Sequence, residues 1–495
     1  MRYYFYLLIF LSTLFITTSV SAQEGIQQDP NWQTIEKMPL LDNSYGHSPP
    51  LLLADQNRTI HAFYSEPVDR TLIIFYNQWH PDTGWGAAND IILPPQTSFA
   101  RVQDVFLDSA SNVHLIFYAG NEQQATIYYT TAPLALAYQA SAWSTPTPAG
   151  LDAGPIAAAK LIHTNNQFQI AYSGKWNGEG VYTVSSDDNG QSWSSPQELL
   201  LLNTDENLLP AQYNTTIDEQ GNAHLIFGVF NAAGYGDSVY YTRFNQVSWE
   251  PPILLRNWPT DRLGVNQPSN ISPAIQAYRD ILIATYIDLN QQGGIVTHSF
   301  QYSSDNGLTW QLPEQPFGTY IGTSGPTRFV IDSAGILHMF FSHRTESQQI
   351  HGIWHTTWQN NSWDTVQPVI SGPFSADPPF DPSDPTPILS QGNTIFMTWI
   401  TDPGVARVGI FSSYTKLNTP DLPITPLPTP LPTISPDDNN DVLPTVTPVV
   451  IQSTPTWADV PPVQNNASAP LFAAFLTATL MVTTVLIYYR LKVNK

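Results

Sequence analysis

Short apolar and aromatic runs, separated by polar turn residues, recur along the middle of the chain. Each run usually follows an Asp-containing turn, and successive runs stand about 53 to 59 residues apart. Runs of this length that are rich in aromatic and branched residues predict β-strands, and a fixed period predicts one repeated structural unit. The repeated positions are His61, His114, Gln169, His224, Ile283, His338 and Phe396.

A second repeat, a single tryptophan, keeps step with the first. Its members stand about 50 to 61 residues apart, at Trp32, Trp85, Trp143, Trp193, Trp249, Trp310 and Trp363. Each full unit contains four predicted strands, which in the second unit are residues 102–107, 113–118, 126–130 and 143–147. Four short strands in every ~40 to 55 residues are typical of one blade of a β-propeller.

The chain is therefore predicted to be all-β, a β-propeller of seven four-stranded blades, with six blades as the alternative. Trp32 precedes the first strand unit, and no unit tryptophan follows the last. Residues 32–41 are thus predicted to supply the outer strand of the last blade. This closure would leave fewer unpaired strand edges. The chain has no cysteine, so disulfides cannot close the ring.

Both ends of the chain carry apolar segments outside the repeats. Arg2, an apolar run and the small-residue ending Val20-Ser21-Ala22 predict a signal peptide at residues 1–22, with an uncleaved anchor as the alternative. Residues 467–489 contain no charged residue and are long enough to cross a bilayer. They predict a transmembrane helix at 469–489 and a basic cytoplasmic tail at 490–495, with a buried core helix as the competing interpretation.

A segment rich in proline and threonine, residues 418–468, separates the repeats from this helix. Such a composition cannot pack a core and favours extended polyproline II geometry, so it predicts a stalk. The propeller is then residues 23–417, held outside the cell by a stalk and a single membrane span. The predicted location is the cell membrane.

Composition restricts the possible partners. The formal net charge is −22, from 18 basic and 40 acidic residues. An acidic chain repels phosphate backbones, so nucleic acid is not an expected partner. Extracellular carbohydrate or protein remains, together with the membrane at the C-terminal helix.

Two of the units contain the pattern Ser-x-Asp-x-Gly-x-x-Trp. The residues are Ser186, Asp188, Gly190 and Trp193 in one box, and Ser303, Asp305, Gly307 and Trp310 in the other. Locally, the Asp can accept backbone N–H groups, the Gly can adopt positive φ, and the Trp can pack between sheets. The boxes resemble the Asp-box, or BNR repeat, of the sialidase superfamily. This resemblance implies a propeller fold and a structural role for the boxes.

The same resemblance indicates which residues sialidase activity would require. Sialidases bind the sugar carboxylate with three arginines, one of them usually in an Arg-Ile-Pro motif, and no Arg-Ile-Pro occurs in this chain. Seven predicted units also differ from the six blades of that family. Sialidase activity is therefore not expected.

Ligands of propellers usually bind at one end of the central channel, on loops between the second and third strands and between blades. Such loops are predicted at residues 65–71, 173–180, 229–238, 288–294 and 342–349, and between blades at 256–272 and 317–328. Aromatic faces, carboxylates and arginines in these loops suit carbohydrate, and solvated loop residues are the alternative interpretation. The candidates are Arg70, Arg101, Trp176, Tyr235, Asp237, Asp288, Arg328 and Arg344, with Trp258, Asp69 and Glu179 as further stacking or acceptor groups.

No cofactor is predicted. The repeated histidines occupy equivalent places in separate blades, which favours packed strand histidines over metal ligands. The acidic segment 377–384 could bind calcium, but it lacks the spacing and glycine of an EF-hand, so an inter-blade turn is favoured.

The sequence as a whole favours a cell-surface binding module for glycan or protein. A glycoside hydrolase or lyase is the alternative, and it would require carboxylates that converge on the channel face.

Overall fold

The computed structural model describes residues 25–41, 48–69, 71–95, 99–121, 125–154, 158–164, 167–202, 207–258, 267–289, 296–322, 325–345, 350–374, 380–401 and 409–422. The chain divides into two units, Met1–Pro428 and Thr429–Lys495. The second unit, the predicted signal peptide and the predicted membrane span lie outside the described residues. Within the described part, no helix is both long enough and apolar enough to cross a membrane.

The described residues are almost entirely β-structure. Successive strands form antiparallel meanders, which we number in chain order. The first comprises Leu51–Ala54, Ile60–Val68, Thr71–His80 and Asn89–Ile92, with the short strand Gly84–Trp85 beside its third strand. The second comprises Phe99–Leu107, Asn112–Gly120, Ala125–Pro133 and Thr147–Ala153. The third comprises Ala159–Thr164, Gln167–Gly174, Gly180–Ser186 and Gln197–Leu201.

The later meanders repeat this order. The fourth comprises Leu209–Ile217, Ala223–Phe230, Gly236–Phe244 and Ile253–Asn257. The fifth comprises Ala274–Tyr278, Ile281–Leu289 and Val296–Ser303, with a bridge from Phe300 to Glu314 on its outer side. The sixth comprises Arg328–Ile331, Leu337–Thr345, Ile350–Gln359 and Gln367–Pro373, with the short strands Tyr320–Ile321 and Ser362–Trp363. The seventh comprises Pro382–Ser390, Thr394–Thr401 and Ile410–Lys416.

Neighbouring meanders pack face to face through buried aromatic and aliphatic side chains. Phe63 of the first meander and Phe117 of the second share one cluster, for example. The seventh meander returns to the first, where Phe396 packs with Ile60 and Trp79. First strands contact the first strands of neighbouring meanders, including Pro382–Ser390 with Leu51–Ala54. The meanders therefore form a ring with their first strands innermost, as in a β-propeller.

The N-terminal segment closes this ring, as the sequence predicts. Glu36–Lys37 pairs antiparallel with Ile410–Lys416 and becomes the outer strand of the seventh meander. Trp32 is buried between the sixth and seventh meanders. A second contact was not predicted: Gln27–Gln28 adds a fifth strand to the sixth meander by pairing with Gln367–Pro373.

One predicted strand is wrong. The segment 143–147 does not form the fourth strand of the second meander, which begins only at Thr147. Two short 3₁₀ helices, Leu134–Leu136 and Ala140–Ala142, come first. Trp143 ends the second of them, and its indole N–H donates to the Ala137 carbonyl at 3.0 Å. The tryptophan thus fills a core position beside the strand instead of opening it.

Antiparallel order gives the ring two different edges. We call the edge with the first-to-second and third-to-fourth strand connections the turn edge. The edge with the second-to-third strand connections and the links between meanders is the mouth edge. Because every meander runs in the same order, equivalent loops of all meanders meet at the same edge.

The repeated histidines lie near the turn edge in a recurrent relay. In the fourth meander, Asp218 accepts the backbone N–H of Asn222 at 2.8 Å and lies 3.1 Å from Nε2 of His224. Nδ1 of His224 is 2.7 Å from the Tyr241 hydroxyl. The same relay joins Asp108, His114 and Tyr129, and His61 and His338 are likewise buried beside Asp55 and Asp332. These are packed strand histidines, as expected.

The two boxes have matching geometry. Asp188 accepts the Ser192 backbone N–H at 2.9 Å, and Ser186 accepts the Gly190 N–H at 2.8 Å. Asp305 and Ser303 repeat these contacts with Thr309 and Gly307. Hydrogen bonds lower the pKa of each Asp to about 2, mainly through the hydroxyl of Ser192 or Thr309. Each box is therefore a locked turn that favours the ionised carboxylate.

Each box also joins two meanders. The ring of Trp193 lies 5.5 Å from Tyr129 of the second meander, and that of Trp310 lies 4.9 Å from Tyr241 of the fourth. The tyrosines belong to the histidine relays, so relay and box connect neighbouring meanders. This confirms that these tryptophans pack between sheets.

Candidate functional site

The predicted ligand residues lie toward the mouth edge, but fewer of them are in loops than expected. The second strands continue to Val68, Gly174, Phe230, Leu289 and Thr345, beyond the predicted loop starts. Asp288 and Arg344 are consequently strand residues. Asp237 lies on a third strand, and Arg101 and Arg328 lie on first strands. Trp176 and Tyr235 lie in loops, and Arg70 lies outside the described residues.

Trp176 stands on the loop between the second and third strands of the third meander. Its side chain is 47% exposed. The Tyr182 hydroxyl accepts the Asn177 N–H at 3.0 Å and donates to the Gly178 carbonyl at 2.7 Å. Gly178 has φ +124°, with nothing near the place of a Cβ. The loop thus presents an exposed indole on a hydrogen-bonded backbone.

Polar groups flank this indole. Lys175 and Glu179 form an ion pair at 3.0 Å, and the Asn177 amide donates to Glu198 at 2.6 Å. The Lys175 N–H donates to the Asp152 carbonyl of the second meander at 2.7 Å. We call residues 174–180 the Trp176 loop. It combines a flat apolar face with carboxylate and amide groups that can bond hydroxyls.

Asp288 and Trp258 form a buried knot between the fourth and fifth meanders. Trp258 is only 1% exposed, so its prediction as a stacking face is wrong. Its indole N–H donates to Asp288 at 2.6 Å, and Arg256 pairs with the same carboxylate at 3.0 Å. A buried carboxylate needs such partners to offset its lost hydration. Asp288 and Trp258 hold an inter-meander link and are buried, while Arg256 is partly exposed.

A second buried carboxylate, Asp381, connects the sixth and seventh meanders. Arg344 donates to it at 3.1 Å, and Nδ1 of His351 lies 2.5 Å from its other oxygen. The ring of Phe374, which is 43% exposed, stacks on His351 at 4.9 Å. We call Arg344, His351 and Asp381 the Asp381 cluster. His351 and Asp381 are both buried, so the cluster joins the two meanders through side-chain hydrogen bonds.

Sequence reasoning missed part of this cluster. His351 lies two residues beyond the predicted loop 342–349, and only the three-dimensional structure shows that it faces Asp381. Asp381 stands in the acidic segment considered for calcium. In the structure its oxygens contact Arg344 and His351 instead. Within the described ranges, no group of three or more His, Asp and Glu residues is placed to hold a metal ion.

First-strand residues bring further charges together inside the ring. Lys160 of the third meander pairs with Asp104 of the second at 3.2 Å. Burial lowers the pKa of Arg328, while the nearby carboxylates Asp384 and Asp104 raise it. Arg101 is exposed, and its guanidinium lies 6.0 Å from the Tyr118 ring. Asp104 and Lys160 were not predicted, because a single residue that faces a neighbouring first strand leaves no periodic signal.

Tyr235 ends the loop before the third strand of the fourth meander, and Asp237 is the second residue of that strand. Asn231 accepts the Tyr235 N–H at 3.1 Å through its side chain, which fixes the loop. Asp237 accepts the Ser238 hydroxyl at 2.9 Å, and its carbonyl accepts the Trp258 N–H at 2.8 Å. Asp237 therefore supports the knot around Trp258.

In the described part of the chain, the predicted ligand residues are not gathered in the clefts between meanders. Two clefts of about 490 Å³ lie between the fifth and sixth and between the third and fourth meanders, and neither is lined by the predicted ligand residues. The mouth-edge residues instead form separate groups: the Trp176 loop, the knot at Asp288 and the Asp381 cluster. Of these groups, the Trp176 loop presents an exposed aromatic face, whereas Asp288 and Asp381 are buried.

No family model matches the chain, and no curated protein matches it. Among solved structures, the polysaccharide lyase Uly1 aligns with a TM-score of 0.46 and 9% identity, over 80% of this chain and 100% of that chain. The Penicillium chrysogenum α-L-arabinanase aligns at 0.44 and 12%, over 78% and 99%. The phage phi92 endosialidase aligns at 0.40 and 11%, over 86% and 76%. Scores and identities this low establish no family for the chain.

Proposed function

We propose that the chain is a cell-surface carbohydrate-binding protein that holds an extended glycan on its mouth edge. The observation that carries this proposal is the Trp176 loop, where an exposed indole stands on a backbone fixed by Tyr182. A single exposed apolar side chain is common on protein surfaces, but here the exposed ring is aromatic, stands on a fixed backbone and is flanked by polar groups, which is the combination that suits a sugar ring. The flat C–H face of a sugar ring matches the indole, while Glu179, Glu198 and Asn177 match its hydroxyls.

The proposed architecture is a seven-bladed propeller, each meander being one blade, with Asp-box turns of the sialidase superfamily type. A signal peptide at residues 1–22 would export it. The stalk at 418–468 and a membrane helix at 469–489 would hold it at the cell surface. Closure by Glu36–Lys37 supports the ring, and the repeated boxes support the superfamily relation.

Binding is favoured over catalysis because the best-placed carboxylates of the mouth edge are already engaged. Asp288 is held by Arg256 and Trp258. A glycoside hydrolase or lyase is the second candidate, and one observation favours it. His351 and Asp381 form a close pair beside Arg344, which resembles an acid–base group.

The test is a glycan array probed with the full chain and with Trp176→Ala. Loss of one stacked ring, at about 1 to 2 kcal/mol, should weaken binding of the preferred glycan about 5- to 30-fold. Leu312→Ala is the matched control, since this side chain is 89% exposed and lies far from the Trp176 loop in the chain. Equal binding by wild type and Trp176→Ala, or binding of protein ligands alone, would contradict the proposal.

The same purified chain should be incubated with each bound glycan to separate binding from catalysis. The proposal predicts recovery of intact glycan. Turnover by wild type that His351→Gln abolishes, while glycan binding is retained, would establish the enzyme alternative instead.

A further inference from the structure

Two buried imidazoles meet between the fifth and sixth meanders. The rings of His298 and His343 stack with centroids 4.4 Å apart and planes inclined by 25°. Both side chains are almost fully buried. Neither ring nitrogen of His343 makes a hydrogen bond, and Nε2 of His298 makes none either. We call these two residues the histidine pair.

The relay histidines show what the pair lacks. His114 and His224 each lie 3.1 Å from a carboxylate, Asp108 and Asp218 respectively. That contact raises the pKa of each relay histidine and opposes the lowering by burial. For the histidine pair, no contact with an Asp or Glu is found in the described part of the chain. A proton added there would be a buried charge without a counter-charge.

The charged groups on neighbouring strands face away from the pair. Asp288 follows Ile287, the register partner of His298, and therefore projects from the opposite face of its strand. Arg344 and His351 pair with each other across the strands and face Asp381, on the side opposite His343. On the first strand of the sixth meander, Arg328 pairs with Phe340. Phe340 and Arg328 lie on one face of the sheet, and Phe341 and His343 lie on the other, because side chains alternate along a strand.

The surroundings thus disfavour protonation. The pKa of His343 is lowered to about 3. Burial is the main cause, the Ser342 backbone opposes it, and Arg344 acts in the same direction as burial. Burial also lowers the pKa of His298, and His343 adds to this effect. Tyr320, which packs on Phe341, is a further titratable neighbour among the described residues, and burial raises its pKa.

We propose that the histidine pair is an acid-sensitive joint, and that acidification loosens the packing of the fifth and sixth meanders at the mouth edge. Neutral imidazoles stack without charge and fill the interface. A cation at either position would repel its partner and draw in water. Because His343 precedes Arg344 on one strand, the loosening would reach the Asp381 cluster.

The direction of the pH effect follows from linkage. Both histidines have folded-state pKa values below the ordinary histidine pKa of 6.5. As the pH falls, the unfolded or opened form therefore takes up protons before the folded form does. The contribution of the pair is complete above pH 6.5 and is lost as the pH falls toward the folded-state values. Each histidine shifts the opening equilibrium by about tenfold per pH unit within that window.

The test is hydrogen exchange of the full chain at pH 7.5 and pH 5.0, corrected for the intrinsic pH dependence of exchange. We expect Val296–Ser303 and Leu337–Thr345 to lose protection at pH 5.0 by at least tenfold more than Ala223–Phe230, which carries a relay histidine. Equal losses in all three strands, or no loss in the first two, would overturn the proposal.

Substitution gives a second, independent readout. The double variant His298→Phe/His343→Phe keeps two stacked rings and removes both titrating groups. It should lose the selective effect at pH 5.0 while retaining the protection of Ala223–Phe230. A selective effect that persists in the folded variant would show that other groups cause it. The wild-type comparison remains decisive if the variant does not fold, and neither experiment depends on glycan binding.

Discussion

The two edges of the ring provide partners for buried polar groups in different ways. At the turn edge, buried polar groups are satisfied by one repeated arrangement, the Asp–His–Tyr relay joined to a box. At the mouth edge, each carboxylate has its own partners: Trp258 and Arg256 for Asp288, or Arg344 and His351 for Asp381. The repeated edge behaves as scaffold, and the irregular edge carries the chemistry proposed for ligand binding.

The two edges also differ in how far their aromatic and imidazole side chains are exposed to solvent. The relay histidines are buried, and their tyrosine hydroxyls reach the box of a neighbouring meander. The Trp176 loop instead presents an aromatic ring to solvent. The mouth edge also contains the histidine pair, in which both nitrogens of His343 and Nε2 of His298 are buried without hydrogen bonds.

The largest expected effect concerns closure of the ring. Deleting residues 29–41 removes the buried side chains of Trp32 and Met38 and the strand Glu36–Lys37. The loss should cost about 5 to 10 kcal/mol of unfolding free energy, because two large buried side chains and a strand are removed. Denaturant unfolding of the deletion variant measures it. An unchanged midpoint would show that the N-terminal segment does not close the ring.

A smaller effect compares two glycines with similar backbone angles. Gly307, at φ +84°, lies against the Tyr241 hydroxyl, and a Cβ there would overlap it. Gly234, at φ +81° in a mouth-edge loop, has nothing within 4 Å of that place. Gly307→Ala should cost about 2 to 4 kcal/mol, and Gly234→Ala about 1 kcal/mol, which is the backbone term alone.

Thermal or denaturant unfolding of both glycine variants checks this difference. Similar costs for the two substitutions would mean that the boxes do not depend on close packing against the relay tyrosines. The distinction between a packed turn edge and an open mouth edge would then be lost at this position.

Much of the scaffold could be predicted because its signals are local and repeated. The spacing of His61, His114 and Trp193 follows from one unit copied along the chain, and each box carries its own turn chemistry. Closure by Glu36–Lys37 could be predicted because the two repeats are out of phase at the chain ends. The signal peptide, stalk and membrane helix remain predictions, since they lie outside the described residues apart from 418–422, the first residues of the stalk.

The mouth edge could be predicted only in part, because its contacts join residues far apart in the chain. Nothing local distinguishes the exposed Trp176 from the buried Trp258, since both follow predicted strands. The partners of Asp381 come from another meander, and no spacing encodes them. Loop composition indicated the mouth edge but not which of its side chains face solvent.

Mapping the bound ligand tests the proposed glycan-binding surface directly. Hydrogen exchange of the full chain should be compared with and without the glycan that binds most tightly on the array. With glycan bound, we expect slower exchange in residues 174–180 and in neighbouring mouth-edge connections, and unchanged exchange in the boxes 186–193 and 303–310. Protection confined to the boxes or to other turn-edge connections, with none in the Trp176 loop, would contradict it.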